Sequence, residues 1–118
     1  MRRTRKQIVG EQAEDRAAEF LESRGLVILE RNYRRRLGEL DIVAREGPVL
    51  VIAEVRARSS ERFGGAAASV GFHKQQRLIR AASQLLQRRP DLARMPVRFD
   101  VLCVSGAQIN WIRQAFLT

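Results

Sequence analysis

The chain has 118 residues, of which 22 are Lys or Arg and 13 are Asp or Glu, so its formal net charge is +9. That length predicts one domain, and a content of 45% hydrophobic and 30% charged residues is typical of globular chains, which excludes a disordered protein. The single cysteine, Cys103, and the single histidine, His73, exclude an internal disulfide framework and a zinc site built from several such residues. No apolar stretch is long enough to span a bilayer and no signal peptide is recognisable, so we expect a cytoplasmic protein without a membrane partner.

Arginine dominates the basic residues, because Lys6 and Lys74 are the only lysines. The planar guanidinium group of arginine matches the geometry of phosphate. A small, strongly basic domain with clustered arginines is typical of nucleic-acid-binding proteins. Charge alone also fits association with an anionic membrane surface or with the ribosome.

The first predicted element is a helix that follows a basic segment. Residues 1–9 contain four basic residues and no acid, so we expect a flexible basic arm, with a single domain over residues 10–118. From Gly10 to Arg24 the spacing is helical. The buried side of this helix is predicted to consist of Glu14, Ala17, Ala18 and Leu21. Glu14 is the one charged residue on that stripe.

Three strands are predicted next, and the last two form a hairpin whose turn is Arg45–Pro48. The strands are predicted at Leu26–Arg31, Glu39–Ala44 and Val49–Arg56. The third is almost entirely aliphatic, as in a central strand that is buried on both faces. Between the first two strands, Asn32–Gly38 is predicted to be a loop. Its arginines are candidate contacts to a nucleic-acid backbone: Arg34, Arg35 and Arg36.

The second half of the chain begins with a polar, glycine-bearing segment, Ala57–Gly71, which is predicted to be a loop. It supplies two further candidate nucleic-acid contacts, Arg58 and Arg62. A second helix is predicted at Phe72–Arg89, and Lys74 in its first turn is a candidate phosphate contact. Two more strands follow at Val97–Val104 and Gln108–Phe116. This order of elements predicts an α/β fold in which the helices pack on a sheet.

The predicted hairpin brings several carboxylates together. If Ala44 pairs with Val49, then Glu39 lies opposite Glu54, and Asp41 shares their face. Carboxylates at this spacing repel one another unless a positive group lies among them. A divalent cation such as Mg²⁺ or Mn²⁺ is one such group. Salt bridges to nearby arginines are a second solution, and simple solvation at the end of the sheet is a third.

Four other residues are expected to have structural roles. Cys103 alternates with apolar residues along its strand and is predicted to be a buried thiol. Asp100 is predicted to form a structural salt bridge, and Trp111 to pack on an edge strand. His73 is predicted to be a surface residue at the start of a helix.

Successive blocks of the chain resemble the bacterial YraN family, over about Gly10 to Val104. The blocks are GEQAEDRAAEFLESRG, RNYRRRLGELDIVAREG, VLVIAEVRARSS, RFGGAAASV, HKQQRLIRAA and RFDV. That family is similar in fold to the Holliday junction resolvases of the PD-(D/E)XK superfamily. The resemblance therefore implies a restriction-endonuclease-like fold, in which an αβββαβ core forms a mixed central sheet flanked by helices.

The resemblance also implies roles for individual residues in a metal-dependent endonuclease site. Glu14 corresponds to the acid on the first helix, Asp41 and Glu54 to the ligands of Mg²⁺ or Mn²⁺, and Glu39 to an auxiliary acid. Arg56 stands where the superfamily has the lysine of its E-x-K motif. Arginine cannot accept a proton near neutral pH, but it can bind a phosphate through two parallel hydrogen bonds.

Three functional hypotheses follow. The first is a metal-dependent endonuclease that acts on branched DNA, with a homodimer as the arrangement that resolvase relatives use. The second is a non-catalytic nucleic-acid-binding module that retains the nuclease scaffold, and Arg56 in place of lysine is the sequence feature that separates it from the first. The third is a protein associated with RNA or the ribosome, whose binding depends on the arginines alone.

Overall fold

A computed structural model describes residues 3–36, 38–57 and 70–117 of the chain. Its elements, in chain order, are α1 (Arg5–Ser23), β1 (Val27–Arg35), β2 (Gly38–Glu46), β3 (Val49–Ala57), α2 (Phe72–Arg88), β4 (Val97–Ser105) and β5 (Gln108–Phe116). The strands lie in one sheet in the order β1-β2-β3-β4-β5. Only the β3–β4 pair is parallel, because α2 provides the crossover between these strands. The predicted mixed sheet with flanking helices is confirmed, and it is compatible with a restriction-endonuclease-like core.

Each helix covers one face of the sheet. Three alanines and Leu21 form the buried side of α1, so this helix lies close to the sheet. On the other face, α2 buries Leu78, Ala81, Ala82 and Leu85. The side chains of β3 alternate between the two cores, since Ile52 packs with α2 and Val51 packs with α1. The prediction that β3 is a central, doubly buried strand is therefore confirmed.

The N-terminal segment differs from the flexible arm that we expected over residues 1–9. Helix α1 begins at Arg5, and Thr4 is its N-cap. The Thr4 hydroxyl accepts a hydrogen bond from the Gln7 amide (3.1 Å), and the Gln7 side chain accepts one from the Thr4 amide (2.8 Å). This reciprocal capping box satisfies two amides that a helix start otherwise leaves unpaired. Two basic residues of this segment, Arg5 and Lys6, are therefore presented on the helix.

The loop predicted at Asn32–Gly38 is also shorter in the structure. Strand β1 continues to Arg35, which pairs with Gly38 at the start of β2. A Cβ atom on Gly38 would lie 3.1 Å from the Arg77 carbonyl oxygen of α2, and the φ angle of Gly38 is +151°. The hairpin therefore approaches α2 at a position that requires glycine.

The predicted register of the β2–β3 hairpin was wrong by two residues. Ala44 pairs with Val51 rather than with Val49, and the strands are joined by the two-residue turn Gly47–Pro48. Gly47 has a φ angle of +56°, the conformation that glycine provides at the first central position of a tight hairpin turn. A shift of two residues leaves every side chain on its predicted face. It nevertheless removes the predicted pairing of Glu39 with Glu54.

Candidate active site

The site lies where β2 and β3 stop pairing. Their ladder ends at Ile42 and Ala53. One step further along each strand are Asp41 and Glu54, and the next amide of β3, that of Val55, donates a hydrogen bond to Asp41 Oδ2 at 2.9 Å. The carboxylate of Asp41 thus takes the place of a backbone acceptor, which anchors it between the two strands.

Asp41 and Glu54 form a pair of acids, of which Glu54 is buried and Asp41 is half-buried. Only 9% of Glu54 is exposed, and its carboxyl group is close enough to share a hydrogen bond with that of Asp41. Burial, this shared hydrogen bond and the charge of Glu54 raise the pKa of Asp41 from 3.8 to about 8. The raised pKa favours the protonated form of Asp41 at neutral pH.

Lys74 provides the cation nearest to this pair. It lies in the first turn of α2, and its Nζ is 3.2 Å from Glu54 Oε2. Its side chain is 31% exposed, so the ammonium group contacts both the acid pair and the solvent. Sequence reasoning placed Lys74 near phosphate, but it did not predict the contact with Glu54.

Glu14 lies in the same cleft as Asp41. Its side chain is 13% exposed, and its Oε1 is 3.8 Å from the Arg31 guanidinium. That oxygen is buried without a hydrogen-bond partner among the described residues. Burial raises the pKa of Glu14, although Arg31 acts in the opposite direction. The charge of Glu14 also contributes to the raised pKa of Asp41. The structure therefore brings together Glu14, Asp41 and Glu54.

Two clefts meet at these acids. The first, about 690 Å³, contains Glu14 and Asp41 and is rimmed by Arg3, Arg31 and Arg34. The second, about 940 Å³, contains Glu54 and is lined by the basic side chains Arg5, Lys6, Arg56 and Lys74. Both volumes lie within the range of roughly 300–1,000 Å³ that is usual for ligand pockets. The second cleft is therefore strongly basic, whereas the arginines of the first lie among the acids Glu11, Glu14, Asp15 and Asp41.

Glu39 is not part of the acid pair. It is exposed and forms an ion pair with Arg34 (2.9 Å) across the β1–β2 ladder. Arg35 stacks over the ring of Tyr33, 4.6 Å from its centroid. A third cleft, of about 420 Å³, runs from this hairpin to α2. Its basic residues are Arg34, Arg35, Arg36, Lys74 and Arg77.

Two predicted contacts, Arg58 and Arg62, lie outside the described residues, as does the glycine-bearing stretch 63–65. Within the residues that the structure describes, no group of three or more His, Cys, Asp or Glu side chains has the arrangement of a metal site. The two predicted metal ligands, Asp41 and Glu54, lie side by side, and their role in metal binding stays a prediction. A pair that shares a proton suits a divalent cation, because the cation can replace that proton and neutralise both carboxylates.

The predicted structural roles hold for three residues away from the site. Cys103 is buried. Asp100 is 1% exposed and binds both Arg98 Nε and Nη2 at 2.9 Å. Trp111 packs edge-on against Phe20 and donates its Nε1–H to Asp100.

Sequence reasoning missed several residues of the clefts. Arg5 and Lys6 were assigned to a flexible arm, and the signal for a helix there was the pair Thr4 and Gln7 at capping-box spacing. Arg77 lies three residues after Lys74 on α2, so helical periodicity places both on one side of that helix.

None of the described helices has both the length and the apolar character needed to cross a membrane. The model of a family described as uncharacterised protein family UPF0102 matches residues 13–104. A UPF0102 protein of Halorhodospira halophila is 49% identical over 107 residues, which cover 91% of this chain and 85% of that protein. A UPF0102 protein of Ralstonia nicotianae is 51% identical over 112 residues, with 91% and 85% covered. A UPF0102 protein of a Janthinobacterium species is 46% identical over 113 residues, with 96% and 90% covered.

Proposed function

The chain belongs to the UPF0102 family, the YraN family of the sequence resemblance, and we propose that it is a nucleic-acid-binding protein with a metal-dependent endonuclease site. The observation that carries this proposal is the adjacent acid pair Asp41 and Glu54, which lies where a strongly basic cleft meets a cleft of mixed charge. A buried acid with a strongly raised pKa, in a cleft, is typical of a functional site.

The acids supply what a phosphodiesterase requires of its metal ligands. Asp41 and Glu54 would hold Mg²⁺ or Mn²⁺ after the shared proton is lost. When bound, such a cation polarises the phosphodiester and makes an attacking water more acidic. Val55 supports this arrangement, because its amide holds Asp41 in place whether or not the carboxyl group is protonated.

The cations beside the pair suit the phosphate. Arg56 and Lys74 line the cleft that contains Glu54. Arg56 can bind two phosphate oxygens at once, whereas Lys74 acts as a compact point charge. Because Lys74 Nζ lies 3.2 Å from Glu54, it is the residue that can contact water or phosphate beside the acids. On this proposal Lys74 takes the place of the lysine that the superfamily carries at the position of Arg56.

One observation favours a second candidate function, a nucleic-acid-binding module without catalysis. Among the described residues, no group of three acids has the arrangement of a metal site. In addition, Arg56 cannot exchange a proton near neutral pH. Binding then depends on the arginines of the three clefts, with DNA of branched or duplex form, or RNA, as the ligand.

The test is a cleavage and binding assay on one panel of labelled substrates. The panel contains a four-way DNA junction, duplex DNA, single-stranded DNA and an RNA hairpin, each with and without Mg²⁺ or Mn²⁺. The proposal expects metal-dependent cleavage of at least one substrate, which Asp41→Asn and Glu54→Gln abolish while binding persists. The logarithm of Kd should rise linearly with the logarithm of the salt concentration, with a slope of about 0.9 for each phosphate of duplex DNA that the protein neutralises.

Other outcomes decide between the candidates. Binding without cleavage under every metal condition would establish the non-catalytic module. An affinity that does not change with salt would contradict both, because both depend on the arginines. Asp91→Asn is the matched control, since Asp91 is an exposed acid paired with Arg89 at 2.9 Å, and its loss should change neither cleavage nor binding.

A further inference from the structure

Gly10 is a glycine for which neither the backbone nor the packing accounts. It is the sixth residue of α1, it is exposed, and its φ angle lies outside the positive range that favours glycine. A Cβ atom at this position would meet none of the described residues within 4 Å. Gly38 shows the contrast, because its Cβ would lie 3.1 Å from a backbone carbonyl oxygen.

A glycine in the interior of a helix destabilises that helix relative to alanine, because it loses more conformational freedom on folding. The fold therefore carries this cost at Gly10, and no described residue packs against the space that a side chain would fill. Open space at an exposed glycine is useful when another molecule approaches the backbone closely.

The surroundings of Gly10 identify where that molecule would lie. Gly10 lines both clefts that meet at the acids, together with Val55 and Ala57 of β3. Asp41 is in one of these clefts and Glu54 is in the other. A ligand that reaches both carboxyl groups therefore passes the crossing between the clefts, with Gly10 of α1 on its border.

The charges along this path identify the ligand as a polyanion. The first turn of α1 contributes Arg5 and Lys6 to one cleft, and Arg3 precedes the helix at the other. Arg56 continues the basic surface beside Glu54. Basic side chains thus border the crossing, most densely on the Glu54 side, where they suit the phosphates of a nucleic-acid strand.

We propose that Gly10 is the point at which the sugar–phosphate backbone of a nucleic-acid strand crosses α1 and passes from one cleft into the other over the acid pair. Gly10 is thus a positioning residue, and the absence of its side chain admits the strand to Asp41 and Glu54. This inference rests on the nucleic-acid binding proposed above.

The test measures stability and binding in the same variants, because the proposal predicts opposite signs for the two. Gly10→Ala and Gly10→Leu should raise the melting temperature of the protein, since both residues favour helix over glycine. Affinity for a labelled four-way junction at fixed low salt should fall, by at least tenfold for Gly10→Leu and by less for Gly10→Ala. Any metal-dependent cleavage should fall in the same order.

Ser83→Leu is the matched control, because Ser83 is an exposed small residue in α2 and lines none of the three clefts. It should leave both affinity and cleavage unchanged. Equal affinity of Gly10→Leu and wild type would overturn the inference, while loss of cleavage in Asp41→Asn would leave the proposed function standing. A lower melting temperature in Gly10→Ala would also overturn it, because the glycine would then have a structural role. Absence of binding by wild type to every substrate is the separate result that rejects the proposed function itself.

Discussion

Replacing Asp41 by asparagine should stabilise the protein at neutral pH. Asparagine is nearly isosteric and its side-chain oxygen can still accept the hydrogen bond of the Val55 amide, which is 2.9 Å from Asp41 Oδ2. Asparagine cannot ionise, so the substitution removes the negative charge that burial and Glu54 disfavour at this position. A buried neutral amide beside Glu54 is therefore less costly to the fold than a second carboxylate.

The size and the sign of the effect follow from the pKa of Asp41, which rises from 3.8 in the unfolded chain to about 8 in the folded protein. Between these values the folded state holds more protons than the unfolded state, so the free energy of unfolding falls as the pH rises. Each pH unit between these two pKa values corresponds to about 1.4 kcal/mol, so the free energy of unfolding falls by at most about 6 kcal/mol over this range. For Asp41→Asn we expect a gain of about 1–4 kcal/mol at pH 7, larger at pH 9 and close to zero near pH 4.

The assay is urea denaturation of wild type and Asp41→Asn at pH 4, 7 and 9, with and without millimolar Mg²⁺ or Mn²⁺. The cation should stabilise only the wild type, by about 2.7 kcal/mol at a concentration 100 times its Kd. Asp91→Asn serves as the control, because Arg89 lowers the pKa of that carboxyl group, so this variant should show no gain. A gain for Asp41→Asn that is equal at pH 4 and pH 9, or a loss at pH 7, would refute the reasoning.

Three further predictions concern the cations and the fold. Arg56→Ala should abolish cleavage of a four-way junction but keep the increase in melting temperature that the metal causes. Arg56→Lys should keep or raise the cleavage rate. Equal cleavage rates for the wild type and both variants would show that Arg56 has no part in the mechanism. Gly38→Ala should lower the free energy of unfolding in urea by about 1–3 kcal/mol, because of its φ angle of +151° and the Arg77 carbonyl oxygen at 3.1 Å. Asp100→Ala should lower it by about 3–5 kcal/mol, since the half-buried Arg98 would keep only Glu46 as an acidic partner among the described residues; a loss below about 1 kcal/mol would show that this pair behaves as an exposed salt bridge.

The parts of the fold that the sequence predicts well are those with a strong local period. The three- and four-residue spacing of apolar residues in α1 identifies the buried residues Ala17, Ala18 and Leu21. The aliphatic run of β3 identifies the central strand. The presence of Glu14 on the buried stripe is visible in the same pattern. Such signals depend on neighbours within one turn of helix or within one strand, which the sequence displays directly.

The errors concern the strand register, which depends on the length of one turn, and the contacts between residues of different elements. A turn of two residues at Gly47–Pro48, in place of four, moves the whole β2–β3 register by two positions. The contact of Lys74 with Glu54 joins α2 to β3, and periodicity within either element contains no information on the distance between them. The placement of Asp41 depends on both, because its partners Glu54 and Val55 belong to the neighbouring strand.

The contrast between Asp100 and Asp41 supports the function proposed for Asp41. From the described residues Asp100 accepts four hydrogen bonds, two from Arg98 and one each from Trp111 and the Gln114 amide, all at 2.9 Å. A buried acid with a structural role requires such partners. Among the same residues, Asp41 accepts a hydrogen bond from the Val55 amide and faces a second acid. Ionising Asp41 lowers stability, and an amide would satisfy Val55 equally well. Packing against the described residues therefore does not account for an acid at this position, whereas the proposed cation would account for it.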